Sequence, residues 1–281
     1  MQKIVWLTDT HFDFLKPMAV VKFGEWVRKV SDAGACVITG DIADANTLAD
    51  LLPFFSAGFG GRTLFTLGNH DYYHGSFSKV KEIARELDRQ VANLTWLDEA
   101  GVVELTPDFA LVGNGGWYDM RAGLGEKSQL DMSDFFLIED LKNKTKQDRA
   151  VICRKLAKDM ADQATPVLRE AASKYKNVFF ATHVPPYREA TWHEGKISDA
   201  TWLPCFSNLT FGAMLTAAAY DFPETRFTVL CGHTHSEGVF TFKDNLTVLT
   251  GHSVYSSPRI SKVFDLSTEG RNWPGAVPEE V

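Results

Sequence analysis

Five short segments carry side chains that can do chemistry: Asp9-Thr10-His11, Gly40-Asp41-Ile42-Ala43-Asp44, Gly68-Asn69-His70-Asp71, Thr182-His183 and Gly232-His233-Thr234-His235. Carboxylate, imidazole and amide oxygen together suit divalent transition metals. The chain has eight histidines, and His11, His70, His183, His233 and His235 all fall in these segments. Charge adds a constraint. Asp9 and Asp41 would cancel two of the four charges of a divalent ion pair, and a hydroxide between the metals a third. The imidazoles and the Asn69 amide add none. Such a centre stays net positive and suits a phosphate oxyanion. Asp41 is placed at its middle, as the carboxylate bridging the two ions.

Taken singly, these residues have plainer readings. Asp and Asn after a strand are common turn and cap residues, and a lone histidine before Val184-Pro185-Pro186 is an ordinary loop residue. It is the set that outweighs them. Asp71 reads as a turn cap rather than a partner of His70. His74, His193 and His252 match no segment. Trp117, Tyr118, Trp192 and Trp202 fit either a stacking wall for a ring or core packing. Arg121, Arg188 and Lys196 read as solvated surface.

The elements that must position these groups follow from periodicity. Ile4 to Leu7, Cys36 to Thr39, Thr63 to Leu67, Val178 to Ala181 and Phe227 to Cys231 are short apolar runs, read as buried strands. Each ends at one of the five segments. Apolar spacing of three to four predicts helices over 17–31, from Leu48 to a stop at Pro53 and the glycines at 58, 60 and 61, and through Val80, Ile83, Leu87 and Val91. This β-α-β-α-β-α order is that of parallel strands in an α/β fold, where ligands gather at the carboxyl ends of strands. Further on, Val102 to Leu105 and Phe109 to Val112 read as strands joined by a turn. Residues 149–175 read as helical, with Thr165-Pro166 opening a second helix. Another helix covers about 207–220, a hairpin turns at Asp244-Asn245, a last strand lies near 260–266, and the tail with Pro274 and Pro278 reads as loose.

The 281 residues are 44% hydrophobic and 12% aromatic, enough for a sizeable core. The net charge of −7 weighs against a nucleic-acid partner, which usually selects a basic surface. Four cysteines without paired spacing give no disulfide framework. The start shows no leader of the secretory type, and no apolar run reaches the ~20 residues of a membrane span. A cytoplasmic protein without a membrane partner is expected.

The segments Asp9-x-His11, Gly40-Asp41-x-x-Asp44, Gly68-Asn69-His70-Asp71, His183 and Gly232-His233-x-His235 stand in the order that marks calcineurin-like metallophosphoesterases, which this chain resembles up to about residue 235. The resemblance implies a single domain over 1–281, a four-layer α/β/β/α sandwich of two mixed sheets flanked by helices; 114–148 reads as an insertion or cap. It implies two divalent or mixed-valence ions, Mn, Fe or Zn. One would take Asp9, His11 and His235, the other Asn69, His183 and His233, with Asp41 shared. His70 would protonate the leaving oxygen, oriented by Asp44, after attack by a hydroxide held between the metals. The implied activity is hydrolysis of a small phosphomonoester or phosphodiester, a nucleotide among the candidates. A nuclease and a non-catalytic metal-binding scaffold of the same fold are the alternatives. Phosphoprotein phosphatases of the superfamily carry arginines after the second and third motifs. Here Ala45 follows Asp44 and Tyr72 follows Asp71, so that activity is disfavoured.

Overall fold

The computed structural model describes residues 2–267; the tail expected to be loose lies outside them. The first half contains β1 (Lys3–Leu7), α1 (Pro17–Ser31), β2 (Ala35–Thr39), α2 (Leu48–Phe59), β3 (Arg62–Thr66), α3 (Phe77–Gln90), β4 (Leu94–Trp96), β5 (Val103–Thr106), β6 (Phe109–Gly113) and α4 (Asp134–Leu137). The second half adds α5 (Lys146–Lys174), β7 (Asn177–Ala181), β8 (Trp192–His193), β9 (Lys196–Ile197), α6 (Leu203–Phe206), α7 (Leu209–Asp221), β10 (Arg226–Cys231), β11 (Gly238–Lys243), β12 (Leu246–Thr250) and β13 (Lys262–Asp265).

Two mixed sheets form, one ordered β13-β1-β2-β3-β4, the other β11-β12-β10-β7-β6-β5. Strands β1 to β4 run parallel, with β13 antiparallel at the edge. In the second sheet β12, β10, β7 and β6 run parallel, with β11 and β5 antiparallel at the edges.

Side-chain alternation explains the layers. Ile4, Trp6, Ala35, Val37, Leu64, Leu111, Phe179, Ala181, Leu230 and Leu249 form one buried cluster, between the sheets. Their strand neighbours Val5, Leu7, Cys36, Ile38, Val112, Val178, Phe180 and Val229 belong to the other cluster, together with helix residues. Each central strand is therefore apolar on both faces, the pattern of a sheet covered on both sides. Helices α1, α2 and α3 lie against the first sheet, and α5 and α7 against the second. The architecture is the expected α/β/β/α sandwich.

Two helix boundaries differ from the sequence expectation. Helix α2 passes Pro53 and Gly58 and ends at Phe59, where Gly60 caps it in the left-handed region at φ 67°. Gly58 serves the crossing with α1: a Cβ there would lie 2.2 Å from the Val21 carbonyl oxygen. Helix α5 is continuous across Thr165-Pro166. Its buried stripe runs through Met160, Ala164, Leu168 and Ala171, while Pro166 is exposed. Packing on one side outweighs one lost hydrogen bond on the exposed other side. Strand β4 was not expected; three residues are too few to show a period.

Residues 114–148, read as an insertion or cap, contribute to the core. Trp117, Tyr118, Phe135, Ile138 and Leu141 from this stretch are buried in the core. Of the described helices, none is long and apolar enough to cross a membrane.

Candidate metal centre

The carboxyl ends of β1, β2 and β3 in one sheet meet those of β7 and β10 in the other. The turns there are tight. Asp9, His11, Asp41, His233 and His235 all have positive φ, between 43° and 70°, a region rare for residues other than glycine. The loops are laced together: the backbone N–H of Asp9 donates to Gly40 O, that of His11 to Asp41 O and that of Gly232 to His183 O. Glycines allow the approach. A Cβ on Gly232 would lie 2.0 Å from both Asp9 Oδ2 and Thr8 Oγ1, and one on Gly68 would lie 2.2 Å from Asp41 Oδ1.

The side chains gather in two sets. Asp9, His11, Asp41 and His235 each offer a ligand atom, all within 4.8 Å of one another. His235 Nε2 lies 3.3 Å from Asp9 Oδ1 and 3.3 Å from His11 Nε2. In the second set Asn69 Oδ1 lies 3.0 Å from His183 Nε2 and 2.8 Å from His233 Nδ1. Asp41 faces both: Oδ1 is 3.3 Å from His183 Nε2, and Oδ2 is 3.9 Å from His11 Nε2.

The outer partners aim these donors. Carbonyl oxygens only accept, so the nitrogens facing them carry protons. His183 Nδ1 donates to Thr39 O at 2.9 Å, and His233 Nε2 donates to Cys205 O at 2.8 Å. The other ring nitrogen of each points at Asn69 Oδ1. The Asn69 amide nitrogen donates outward to Asp134 Oδ1 at 2.9 Å. Backbone amides hold the carboxylates: His233 N donates to Asp9 Oδ1 at 2.9 Å, and His70 N to Asp41 Oδ1 at 2.8 Å. A neutral His233 then brings its lone pair against that of Asn69, an arrangement a cation between them would satisfy. The donor set thus fits the metal ions that the sequence implied.

Electrostatics hold both carboxylates ionised and the His11 and His233 rings neutral, the states that ligate, whereas the neighbouring carboxylates keep a proton on His183 that a metal ion would displace. Burial disfavours charge on Asp9, but the His235 hydrogen bond and the His183 and His235 imidazoles outweigh it and hold the carboxyl at about 2. The same contest, with His183, His70 and His11 opposing burial, keeps Asp41 well below the usual carboxylate range. Burial pushes His11 and His233 down to about 4, so both rings are neutral and ready to ligate near neutral pH. Burial also disfavours charge on His183, but Asp41 beside it prevails and lifts the ring to about 10.

His70 sits at the rim, its side chain 20% exposed and Nε2 3.9 Å from Asp41 Oδ2. Its ring packs between His11 at 4.6 Å and Tyr73 at 4.2 Å. Asp44 has other partners: Oδ1 accepts from Thr47 Oγ1 at 2.6 Å and from the amides of Asn46 and Thr47. Asp71 ties two loops together, accepting from Ile42 N and Ala43 N at 2.9 Å each and from Gly68 N at 2.7 Å. That enlarges the capping role expected for it.

The remaining candidates separate by position. His74 is exposed. His193 Nδ1 meets Thr234 O, and His252 Nδ1 meets His235 O at 2.6 Å, so both brace the last motif from outside. Trp117 and Tyr118 are core, at 1% and 0% exposure. Trp202 is half-buried and packs on Phe206 at 4.9 Å, and Trp192 is also half-buried. Arg121, Arg188 and Lys196 are exposed, as expected. Two participants escaped sequence reading. Tyr255, 45% exposed, lies over His11 at 4.5 Å and near Phe14 at 5.3 Å. Asp134 holds Asn69 from behind. Neither belongs to a motif.

Comparison with known proteins adds the family. A profile described as calcineurin-like phosphoesterase matches residues 2–237. Among solved structures, a phosphopantetheinyl hydrolase from Mycobacterium tuberculosis superposes with a TM-score of 0.61 at 14% identity, covering 92% of this chain and 95% of that one. A dimetal phosphatase from Danio rerio superposes with a TM-score of 0.60 at 13% identity, covering 94% and 92%. At such identity the likeness shows the fold. No curated protein matches the chain significantly.

Proposed function

The chain belongs to the calcineurin-like phosphoesterase family, and from that premise we propose that it hydrolyses a small phosphomonoester or phosphodiester at a two-metal centre. One observation carries the reading: two donor sets, each drawn from both sheets, turn their ligand atoms toward the two oxygens of Asp41. In this reading Asp9, His11 and His235 would hold one ion, Asn69, His183 and His233 the other, with Asp41 shared. When bound, the ions supply Lewis acidity to the phosphoryl group and to the attacking water.

The rest is work for the side chains. Burial of Asp9, Asp41, His183 and His233 at 6% exposure or less keeps bulk water out and strengthens every charge interaction there. His70, at the open rim beside Asp41 and outside both donor sets, is placed to contact the phosphate and give a proton to the leaving oxygen. The net charge of −7 favours a small substrate over nucleic acid.

The test is a paired assay of an aryl phosphomonoester and a bis-aryl diester with Mn²⁺, Fe²⁺ or Zn²⁺ added after chelation. Metal-dependent turnover of at least one ester is expected, abolished in Asp41→Asn. Turnover unaffected by chelator, or no turnover by a fully metallated protein, would count against the proposal.

A further inference from the structure

We propose that Asp134, supplied by the segment between β6 and α5, is a positioning residue that sets which end of the Asn69 amide faces the metal centre. The inference rests on the two-metal reading above. An amide group has an oxygen and an NH₂ of similar shape, and only its neighbours decide between the two orientations. Flipped, Asn69 would turn a donor toward the ion instead of a lone pair.

Asp134 decides the matter because all three groups that reach its oxygens do so as donors. Its Oδ1 receives Asn69 Nδ2 at 2.9 Å and Tyr73 Oη at 2.7 Å, and its Oδ2 receives Tyr118 Oη at 2.8 Å. Tyr73 Oη, having given its proton to Asp134, accepts a second contact from Asn69 Nδ2 at 3.3 Å. Both amide protons of Asn69 therefore have acceptors on the outer side, which leaves Oδ1 to His183 and His233. Asp134 is 0% exposed. A buried carboxylate is costly unless satisfied, and here it is satisfied by an amide and two phenols. The segment that reads as a cap thus completes the inner scaffold of the site, through a residue 65 positions from its partner.

Asp134→Ala and the near-isosteric Asp134→Asn test this, using Mn²⁺ alone as the probe. Metal stoichiometry after dialysis and Mn²⁺ titration by calorimetry are the readouts, with circular dichroism and melting temperature as fold controls. The wild-type chain is expected to bind two ions. Each variant should retain one and hold the second about 10–100-fold more weakly, the range for loss of an outer partner. Adding His235→Ala should then weaken the retained ion, because it belongs to the other set. Should Asp134→Ala not fold, Asp134→Asn alone decides. Unchanged affinity at both sites in a folded variant would overturn the inference, as would equal weakening of both, the mark of a general structural role. A wild-type chain that binds no Mn²⁺ would instead overturn the metal reading itself.

Discussion

His70 and His235 share the open side of the centre, their side chains 20% and 23% in solvent, while His11, His183 and His233 are buried. His235 Nε2 lies 3.3 Å from both Asp9 Oδ1 and His11 Nε2, within a donor set, whereas His70 belongs to neither set and its Nε2 stands 3.9 Å from Asp41 Oδ2. That position suits a proton donor. His70→Ala is expected to keep both metal ions and to slow esters with poor leaving groups by about 10²-fold or more, while sparing those with good leaving groups. Rates across a series of aryl esters check this; equal losses throughout would remove the acid role. Asp44 makes a useful contrast. The Gly40-Asp41-x-x-Asp44 motif was visible in the sequence, but the Asp44 carboxylate accepts from Asn46 and Thr47, contacts that the motif's spacing does not reveal. The first-rank donors were legible because each follows an apolar run directly. Asp134, Tyr73 and Tyr118 were not, because their roles depend on contacts across the fold.

At the scale of elements, helix α5 shows packing overriding a local breaker. Pro166 has no N–H, so the carbonyl four residues earlier loses its helical donor, and an interior proline costs roughly 3 kcal/mol in an isolated helix. The buried stripe on the opposite side holds the helix through it. Because Pro166 is exposed, Pro166→Ala should restore the missing bond without disturbing the core. Loss of proline's restraint on the unfolded chain offsets part of the gain. A net stabilisation of about 1 kcal/mol is expected, read as a higher urea midpoint with an unchanged slope. The α1–α2 crossing shows the converse. Gly24 and Gly58 let the backbones approach so closely that a Cβ on Gly24 would lie 2.5 Å from Phe55 O. A reading of Gly58 as a stop signal missed that it is an interior contact.

At the scale of the molecule, the two sheets are stitched at the site end by Asp98. It follows β4 in the first sheet and accepts from Gly115 N, after β6 in the second, at 3.2 Å through both oxygens. Burial pushes its carboxyl up to about 7 from an ordinary 3.8, with the Gly115 hydrogen bond only partly opposing. The folded protein therefore holds this proton more tightly than the unfolded chain. From about pH 4 to about pH 7 stability falls as pH rises, by at most about 1.4 kcal/mol per pH unit from this group, and the loss is complete above that window. Asp98→Asn should remove this slope. Urea midpoints at pH 5 and pH 8, with chelator present throughout, should show the variant gaining relative to wild type at the higher pH. A difference that is the same at both would refute the assignment.

The sequence by itself determined the five donor segments, their order, the strands that precede them and the double-faced apolar pattern of a sheet covered on both sides. These are local facts: side-chain alternation and helical spacing act between residues two to four apart, so a linear reading recovers them. Only the tertiary structure decided how the donors are aimed. The tautomer of His183 is set by Thr39, 144 positions away, and the face of Asn69 by Asp134, 65 positions away. Such partners leave no period in the chain, because a buried polar group is satisfied by whatever the folded backbone brings within about 3 Å.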